Sequence, residues 1–167
     1  MTRAITSPEP ATPSPTLAAA LGGGAGLHPG PGLHLDAAAR LPAAGWRFEL
    51  GARLDAGRGA LGDGAVQSLL VAALTTACHP LGPLEPCLGA LAGWHAHRGD
   101  GYASDGAADA FTLTGLARVG WPIALGGLTL IPRAELLVPA TRATLTIDGA
   151  AAWETPPAAF TLGIGVR

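Results

Sequence analysis

Residues 45–55 read GWRFELGARLD, and apolar side chains alternate there with charged or small ones. Because successive side chains of a β-strand point to opposite faces, this stretch predicts a strand with one apolar face and one charged face. The apolar face consists of Trp46, Phe48, Leu50, Ala52 and Leu54. The other face consists of Arg47, Glu49, Gly51, Arg53 and Asp55. In a soluble protein the apolar face would point into the core, whereas in a membrane barrel it would point into lipid.

The composition favours the membrane. Of the 167 residues, 49% are hydrophobic and only 13% are charged, and the ten basic residues are all Arg. The mean hydropathy is +0.35, yet no apolar run is long enough for a transmembrane helix, which needs about 18 residues. A membrane barrel is apolar on average without a long apolar run, because each of its strands alternates apolar and polar residues. The 25 Gly and 15 Pro favour short strands and turns over helices, and a net charge of −2 gives no basis for binding nucleic acid.

The same alternation recurs along the chain and predicts an all-β fold. The predicted strands are 17–28, 32–41, 45–55, 65–78, 87–98, 110–123, 127–138 and 159–167. About eight antiparallel strands are the smallest number typical of a closed up-and-down membrane barrel. We therefore assign residues 17–167 to one barrel domain. The facing of strand 65–78 stays open, because it is apolar on both sides.

Short and long connections alternate between these strands. The short ones are 42–44, 79–86 and 124–126, and the longer ones are 55–64, 99–110 and 139–157. A membrane barrel with short turns on the inner side and long loops on the outer side has this order. Within the last connection, Asp148-Gly149 between apolar residues predicts a hairpin of 144–147 with 150–153.

The first 16 residues are rich in Pro, Ser and Thr, and we expect them to be disordered. They contain no apolar core of a secretion signal, so no signal peptide is visible in this chain. That observation favours the alternative of a soluble, lipocalin-like barrel that binds an apolar ligand.

Two segments carry a resemblance to a known family. They are GPLEPCLGALAG at 82–93 and WETPPAAFTLGIGV at 153–166. With these the chain resembles the small bacterial outer-membrane β-barrel proteins, and in particular an uncharacterised group of them, over roughly Leu17 to Arg167. The resemblance implies an eight-stranded barrel in the bacterial outer membrane, with no assigned activity.

In a membrane barrel the charged faces point into the lumen. The predicted lumen network comprises Asp36, Arg40, Arg47, Glu49, Arg53, Arg118, Arg133 and Glu135. Eight strands leave a bore that side chains can fill, and buried charges must pair, so we expect a plug. A narrow solute pore, lined by Arg and selective for anions, is the alternative.

The apolar faces of the same strands should point outward into lipid. The residues expected on the outside are Trp46, Phe48, Leu50, Phe111, Leu113, Leu128, Leu130, Leu162 and Ile164.

The remaining candidates for chemistry are few. Cys78 and Cys87 are symmetric about Gly82–Pro83, so a hairpin would place them opposite each other at disulfide distance. His95 and His97 lie on one strand face, with Asp100 and Ser104 nearby. A His-x-His pair can bind a metal, and His with Ser and Asp can hydrolyse esters, but neither spacing is specific. We expect ordinary histidines at a loop edge, and hence no catalytic, metal or cofactor site. The expected protein is a monomer in contact with outer-membrane lipid, and not an enzyme.

Overall fold

The computed structural model describes residues 14–102, 107–147 and 150–167, which form eleven β-strands. In chain order they are β1 (Thr16–Ala25), β2 (Gly32–Ala43), β3 (Trp46–Leu61), β4 (Gly64–Cys78), β5 (Glu85–Asp100), β6 (Ala107–Gly120), β7 (Ile123–Leu125), β8 (Leu128–Pro139), β9 (Thr144–Ile147), β10 (Ala150–Glu154) and β11 (Ala159–Val166). None of the described residues belongs to a helix that is long and apolar enough to cross a membrane.

Eight of these strands close an antiparallel ring. Neighbours follow the chain from β1 to β6, then β6 pairs with β8, β8 with β11, and β11 with β1. At the closure, Ala19 lies opposite Val166 and Leu137 lies opposite Ala159. A closed ring leaves no free edge strand in the wall, as a lipid environment requires. The predicted antiparallel up-and-down barrel of about eight strands is confirmed.

The predicted strand 110–123 is divided in two near Trp121 and Pro122. β6 pairs with the C-terminal half of β8, and the short β7 pairs with its N-terminal half. Pro122 has no backbone N–H to donate to the ladder. The neighbouring Trp121 N–H still donates to the Pro132 carbonyl at 2.9 Å, so the wall stays continuous across the break.

Residues 55–64 form strand and a tight turn, and not the long loop that the sequence predicted. β3 continues to Leu61 and β4 begins at Gly64. Gly62, in the turn, has a φ of 59°, which glycine adopts without steric cost. The Gly-rich and Asp-rich composition suggested a loop. The cross-strand pairing outweighs that preference, because the whole stretch from Asp55 to Leu61 pairs with β4.

The predicted hairpin in the last connection is present. β9 pairs with β10, and Ala150 lies opposite Ile147. Its predicted turn residues, Asp148 and Gly149, lie outside the described residues. The same holds for residues 1–13 of the N-terminal segment that we expected to be disordered, whereas Thr16 already begins β1.

Apolar side chains cover the outer face of the wall. Of the residues expected there, Leu50 is 64% exposed, Phe111 is 52% exposed and Leu162 is 70% exposed. The others that are exposed are Trp46, Phe48, Leu113, Leu128 and Ile164, and Leu130 is partly exposed. The apolar face of residues 45–55 therefore points outward and its charged face points into the bore.

An apolar layer shares the bore with the charged residues. β4, whose facing the sequence left open, points Leu70 and Leu74 inward, where each is 1% exposed. They join a buried cluster with residues of β5, β6 and β8, namely Leu91, Leu116 and Leu137. The bore thus contains leucines on the side of these strands as well as charges.

Candidate functional site

The wall brings all eight residues of the predicted lumen network into the bore. Each lies at an inward position of its strand, and the registers place complementary charges side by side. Asp36 lies opposite Arg53, and Arg40 lies opposite Glu49. Arg118 likewise lies opposite Glu135. Seven of the eight side chains are almost completely buried, and Arg47, at the end of the bore, has a side chain that is 32% exposed.

One cluster of charges lies at the end of the bore near the short turns. Arg40 donates to Glu49 through Nη2 at 2.6 Å and to Glu85 through Nη2 at 2.5 Å. Arg47 also donates to Glu85, and Arg167 lies 3.5 Å from the same carboxylate. Glu85 therefore joins three arginines from three different strands or ends of the chain. Charge-assisted hydrogen bonds of this kind are the strong ones in proteins.

A second cluster crosses the middle of the bore. Arg53 Nη1 donates to Glu135 Oε2 at 2.5 Å, and its other nitrogens donate to Asp55 at 2.8 and 3.1 Å. β3 and β8, which carry Arg53 and Glu135, are four places apart in the ring of eight strands, so this ion pair joins opposite walls. Arg118 donates to Glu135 at 2.7 Å and to Glu49 at 2.8 Å, and so links the two clusters.

Hydroxyl groups and one more arginine, Arg133, complete the network. Arg133 donates to Asp36 and lies 3.3 Å from Glu135. Thr161 and Thr76 donate to Glu135 and Glu49 at 2.8 and 2.9 Å. Beside the network is a cavity of about 30 Å³, which has room for one or two water molecules. The lining of this cavity includes Asp36 and Arg133, whose Oδ1 and Nε atoms are buried and have no hydrogen-bond partner among the described residues.

Asp55, Glu85 and His34 contact the charge network but were absent from the predicted one. Asp55 binds Arg53, and Glu85 binds Arg40 and Arg47. His34 lies 3.2 Å from Arg133 and is 2% exposed. The alternation could have found all three, because Asp55 is in phase with Arg53, His34 with Asp36, and Glu85 with Cys87.

The histidines at the other end of the bore correct a prediction. We expected His95 and His97 at an ordinary loop edge, but they are 5% and 3% exposed, inside the bore. The reason is register, because odd-numbered positions of β5 point inward up to residue 97. The loop after β1 adds His28, which is 6% exposed. Burial lowers the pKa of His28 to about 4, and His97 and Arg53 contribute to the same lowering.

The predicted disulfide is confirmed. Cys78 and Cys87 lie directly opposite each other in β4 and β5. Their Sγ atoms are 2.08 Å apart and their Cα atoms are 4.0 Å apart. The bond clamps the short connection at the same end of the barrel as Glu85.

The sequence offered a metal site and an ester hydrolase as alternative chemistries, and the described residues complete neither. Ser104, the candidate nucleophile, lies outside the described residues. His34, Asp36 and Glu135 lie close enough together to share an ion. Arg133 and Arg53 already bind the carboxylates of that group, however, so a cation there would compete with guanidinium groups.

No known protein family matches the sequence, and no curated protein matches it significantly. Solved structures that are similar in fold include Neisserial surface protein A (NspA), which is 14% identical with a TM-score of 0.54, over 92% of this chain and 97% of that chain. A major outer membrane protein from Thermus thermophilus is 14% identical with a TM-score of 0.54, over 90% of this chain and 98% of that chain. The chain has the fold of small outer-membrane β-barrel proteins.

Proposed function

We propose that this protein is a monomeric barrel of the bacterial outer membrane whose lumen is closed by paired charges, and that it acts through structure or interaction and not through catalysis or transport. The observation that carries the proposal is the ion pair between Arg53 and Glu135, which spans the bore between opposite walls. Glu135 also binds Arg118 and Thr161. Opening the bore would require several of these contacts to break together.

The outer surface supports a place in lipid. Apolar side chains are exposed around the wall, including Leu17 at 82%, Leu88 at 70% and Trp94 at 63%. Soluble monomers rarely expose a continuous apolar surface of more than a few hundred Å². Lipid tails would cover this one, and the closed ring would present no free edge strand to them. The fold shared with outer-membrane proteins supports the same membrane, as does the disulfide, which persists in an oxidising compartment.

The contents of the bore support closure. Arg53 and Glu135 have side chains that are 0% exposed, and the leucines Leu74, Leu91 and Leu137 are 0–1% exposed. The cavity within the charge network is about 30 Å³, far less than a water-filled channel needs. Neither a path for solutes nor a lipocalin-like cavity for an apolar ligand is visible in the bore of the described residues.

Electrical recording tests the closed lumen. Tag-free protein is inserted into planar lipid bilayers, and we expect no steady single-channel conductance. Arg118→Ala and Arg133→Ala remove guanidinium groups from the bore, and Arg58→Ala is the control on the outer face. Stable anion-selective openings of the unmodified protein, lost in Arg118→Ala or Arg133→Ala but kept in Arg58→Ala, would replace the plug with a pore.

A further inference from the structure

Two arginines of the wall point outward instead of into the bore. Arg58 is on β3 and Arg98 is on β5, and both residues are exposed. Neither forms an ion pair with a carboxylate of the described residues, whereas each arginine of the bore network does. A charge on the lipid side of a barrel is destabilising at the bilayer midplane and nearly neutral at the interfaces. The closed lumen described above gives these two arginines no role.

The pairing of the strands brings the two arginines side by side. Arg58 lies opposite Gln67 of β4, and Gln67 lies opposite Arg98. Neighbouring strands are about 4.8 Å apart, so the Cα atoms of the two arginines are about 10 Å apart. Arginine side chains are long and flexible, so both guanidinium groups can reach one anion that lies over Gln67.

The arginines lie at the level where lipid head groups begin. On β3 every outward position between Trp46 and Arg58 is apolar. At about 3.3 Å per residue and a tilt of about 40°, this stretch spans roughly 30 Å along the bilayer normal. The apolar band of an outer-membrane barrel is about 25 Å tall. With Trp46 at one interface, Arg58 therefore reaches just beyond the other, at the end of the barrel opposite the disulfide.

An apolar surface lies directly below the arginines, on the membrane side. Its residues lie opposite one another across four strands, and we call them the apolar row: Leu33, Ala56, Leu69 and Ala96. Leu33 is 68% exposed and Leu69 is 44% exposed. The smaller alanines beside them leave an open groove of about 860 Å³, which is lined by the apolar row and both arginines, among others. The groove therefore joins a cationic end to an apolar end.

The acids nearest to the arginines do not line this groove. Asp100, towards the loop end of β5, accepts a hydrogen bond from Gln67 Nε2 at 2.7 Å. Asp109 lies opposite Ala96, on the side of β6. Both are absent from the lining of the groove. An anion in the groove would thus meet the two cations directly.

We propose that Arg58 and Arg98 bind the phosphate group of an anionic lipid in the outer leaflet, while an acyl chain of the same lipid covers the apolar row. Arginine binds phosphate through paired N–H groups, and two arginines match the charge of a phosphate monoester. A free phosphate would leave the apolar row uncovered, and a zwitterionic head group would bring a cation beside the arginines. The site rests on the proposed place of the wall in lipid and is independent of the closed bore. In a purely zwitterionic bilayer it stays empty, so Arg58 variants remain suitable controls for the bore there.

Native mass spectrometry tests the site. Tag-free protein refolded in detergent is titrated with phosphatidic acid and, separately, with phosphatidylcholine of the same acyl chains. We expect one phosphatidic acid per chain to bind at least 10-fold more tightly than phosphatidylcholine. Arg58→Gln and Arg98→Gln should each weaken that binding about 5-fold, and the two together should abolish the preference. Arg142→Gln is the matched control, because Arg142 is exposed in the loop after β8 and does not line the groove.

The outcomes separate the lipid from other ligands. Equal affinity for both lipids, or a preference that survives the double substitution or is lost in Arg142→Gln, overturns the site. Inorganic phosphate at millimolar concentration should not displace phosphatidic acid, and displacement would overturn the lipid as the ligand in favour of a free anion. Flotation with phosphatidylcholine vesicles measures insertion by itself. Insertion without a lipid preference overturns only this site, whereas failure to insert overturns the place in lipid as well.

Discussion

Replacing Arg53 with Met should destabilise the barrel more than any other single change to its ion pairs. Arg53 is 1% exposed and makes three charge-assisted hydrogen bonds, at 2.8 and 3.1 Å to Asp55 and at 2.5 Å to Glu135. At about 1.5–3 kcal/mol each, these set an upper limit of roughly 5–9 kcal/mol. Methionine has a similar length but leaves Asp55 buried without the cation that it binds.

The expected loss is smaller than this limit, because the neighbours can adjust. Glu135 keeps Arg118 and Thr161, so only Asp55 becomes an uncompensated buried charge. Removing one partner of a buried ion pair costs about 3–5 kcal/mol, and we expect Arg53→Met to lower the free energy of unfolding by this amount. Arg53→Met combined with Asp55→Leu removes both charges and should recover at least about 2 kcal/mol of the loss.

Urea unfolding in lipid vesicles, followed by tryptophan fluorescence, measures these differences. Arg58→Met is the matched control, because Arg58 lies on the same strand but points outward and is exposed. It should change the free energy of unfolding by less than about 0.5 kcal/mol. A loss below about 1 kcal/mol for Arg53→Met, or a double variant that is less stable than Arg53→Met alone, would refute the reasoning.

Three further predictions concern the wall and its clamp. Cys78→Ala with Cys87→Ala opens a loop with a sequence separation of 9 and should lower the free energy of unfolding by about 2–3 kcal/mol, and reduction of the unmodified protein should do the same. Gly93→Ala should greatly reduce the yield of folded protein on semi-native gels, because a Cβ there would lie 2.1 Å from the Val71 carbonyl oxygen. Gly127→Ala is the control and should fold normally, because a Cβ there meets no atom within 4 Å. Leu50→Arg, on the lipid face, should cost about 2–4 kcal/mol in the urea assay, whereas Leu81→Arg, in the short turn after β4, should cost about 0–1 kcal/mol. Equal costs at Leu50 and Leu81 would contradict a membrane around the wall.

The alternation of residues 45–55 carried most of what the sequence could predict. A period of two settles which side chains share a face, and the low charge content then favours lipid on the apolar side. The pairing of Cys78 with Cys87 follows from their symmetry about a turn, which is a local constraint. These features could be predicted because each depends only on the geometry of one strand or one hairpin.

The contacts across the bore could not be predicted, because they depend on the closure of the ring, which local sequence patterns do not encode. Arg53 meets Glu135 through ring closure and strand stagger, which place β3 opposite β8. His28 meets His95 because the loop after β1 folds inward, over a sequence separation of 67 residues. Gly-rich strands are ambiguous for a different reason, since their composition is that of loops while their pairing partners lie elsewhere in the chain.

Lipid contact of the apolar face of β3 tests the central claim most directly. The claim is that this face meets lipid and that the charged face of the same strand meets the bore. A nitroxide label is attached to one introduced cysteine at a time while the native cysteines remain bonded. The four substitutions, all at exposed positions of the outer wall, are Phe48→Cys, Leu50→Cys, Ala52→Cys and Leu54→Cys. Protein refolded into vesicles should show high access to oxygen and low access to a water-soluble nickel relaxant at these positions. Labels that are immobile and inaccessible to both reagents would mean that the apolar face is a packed interior, and that would contradict the barrel as a membrane protein.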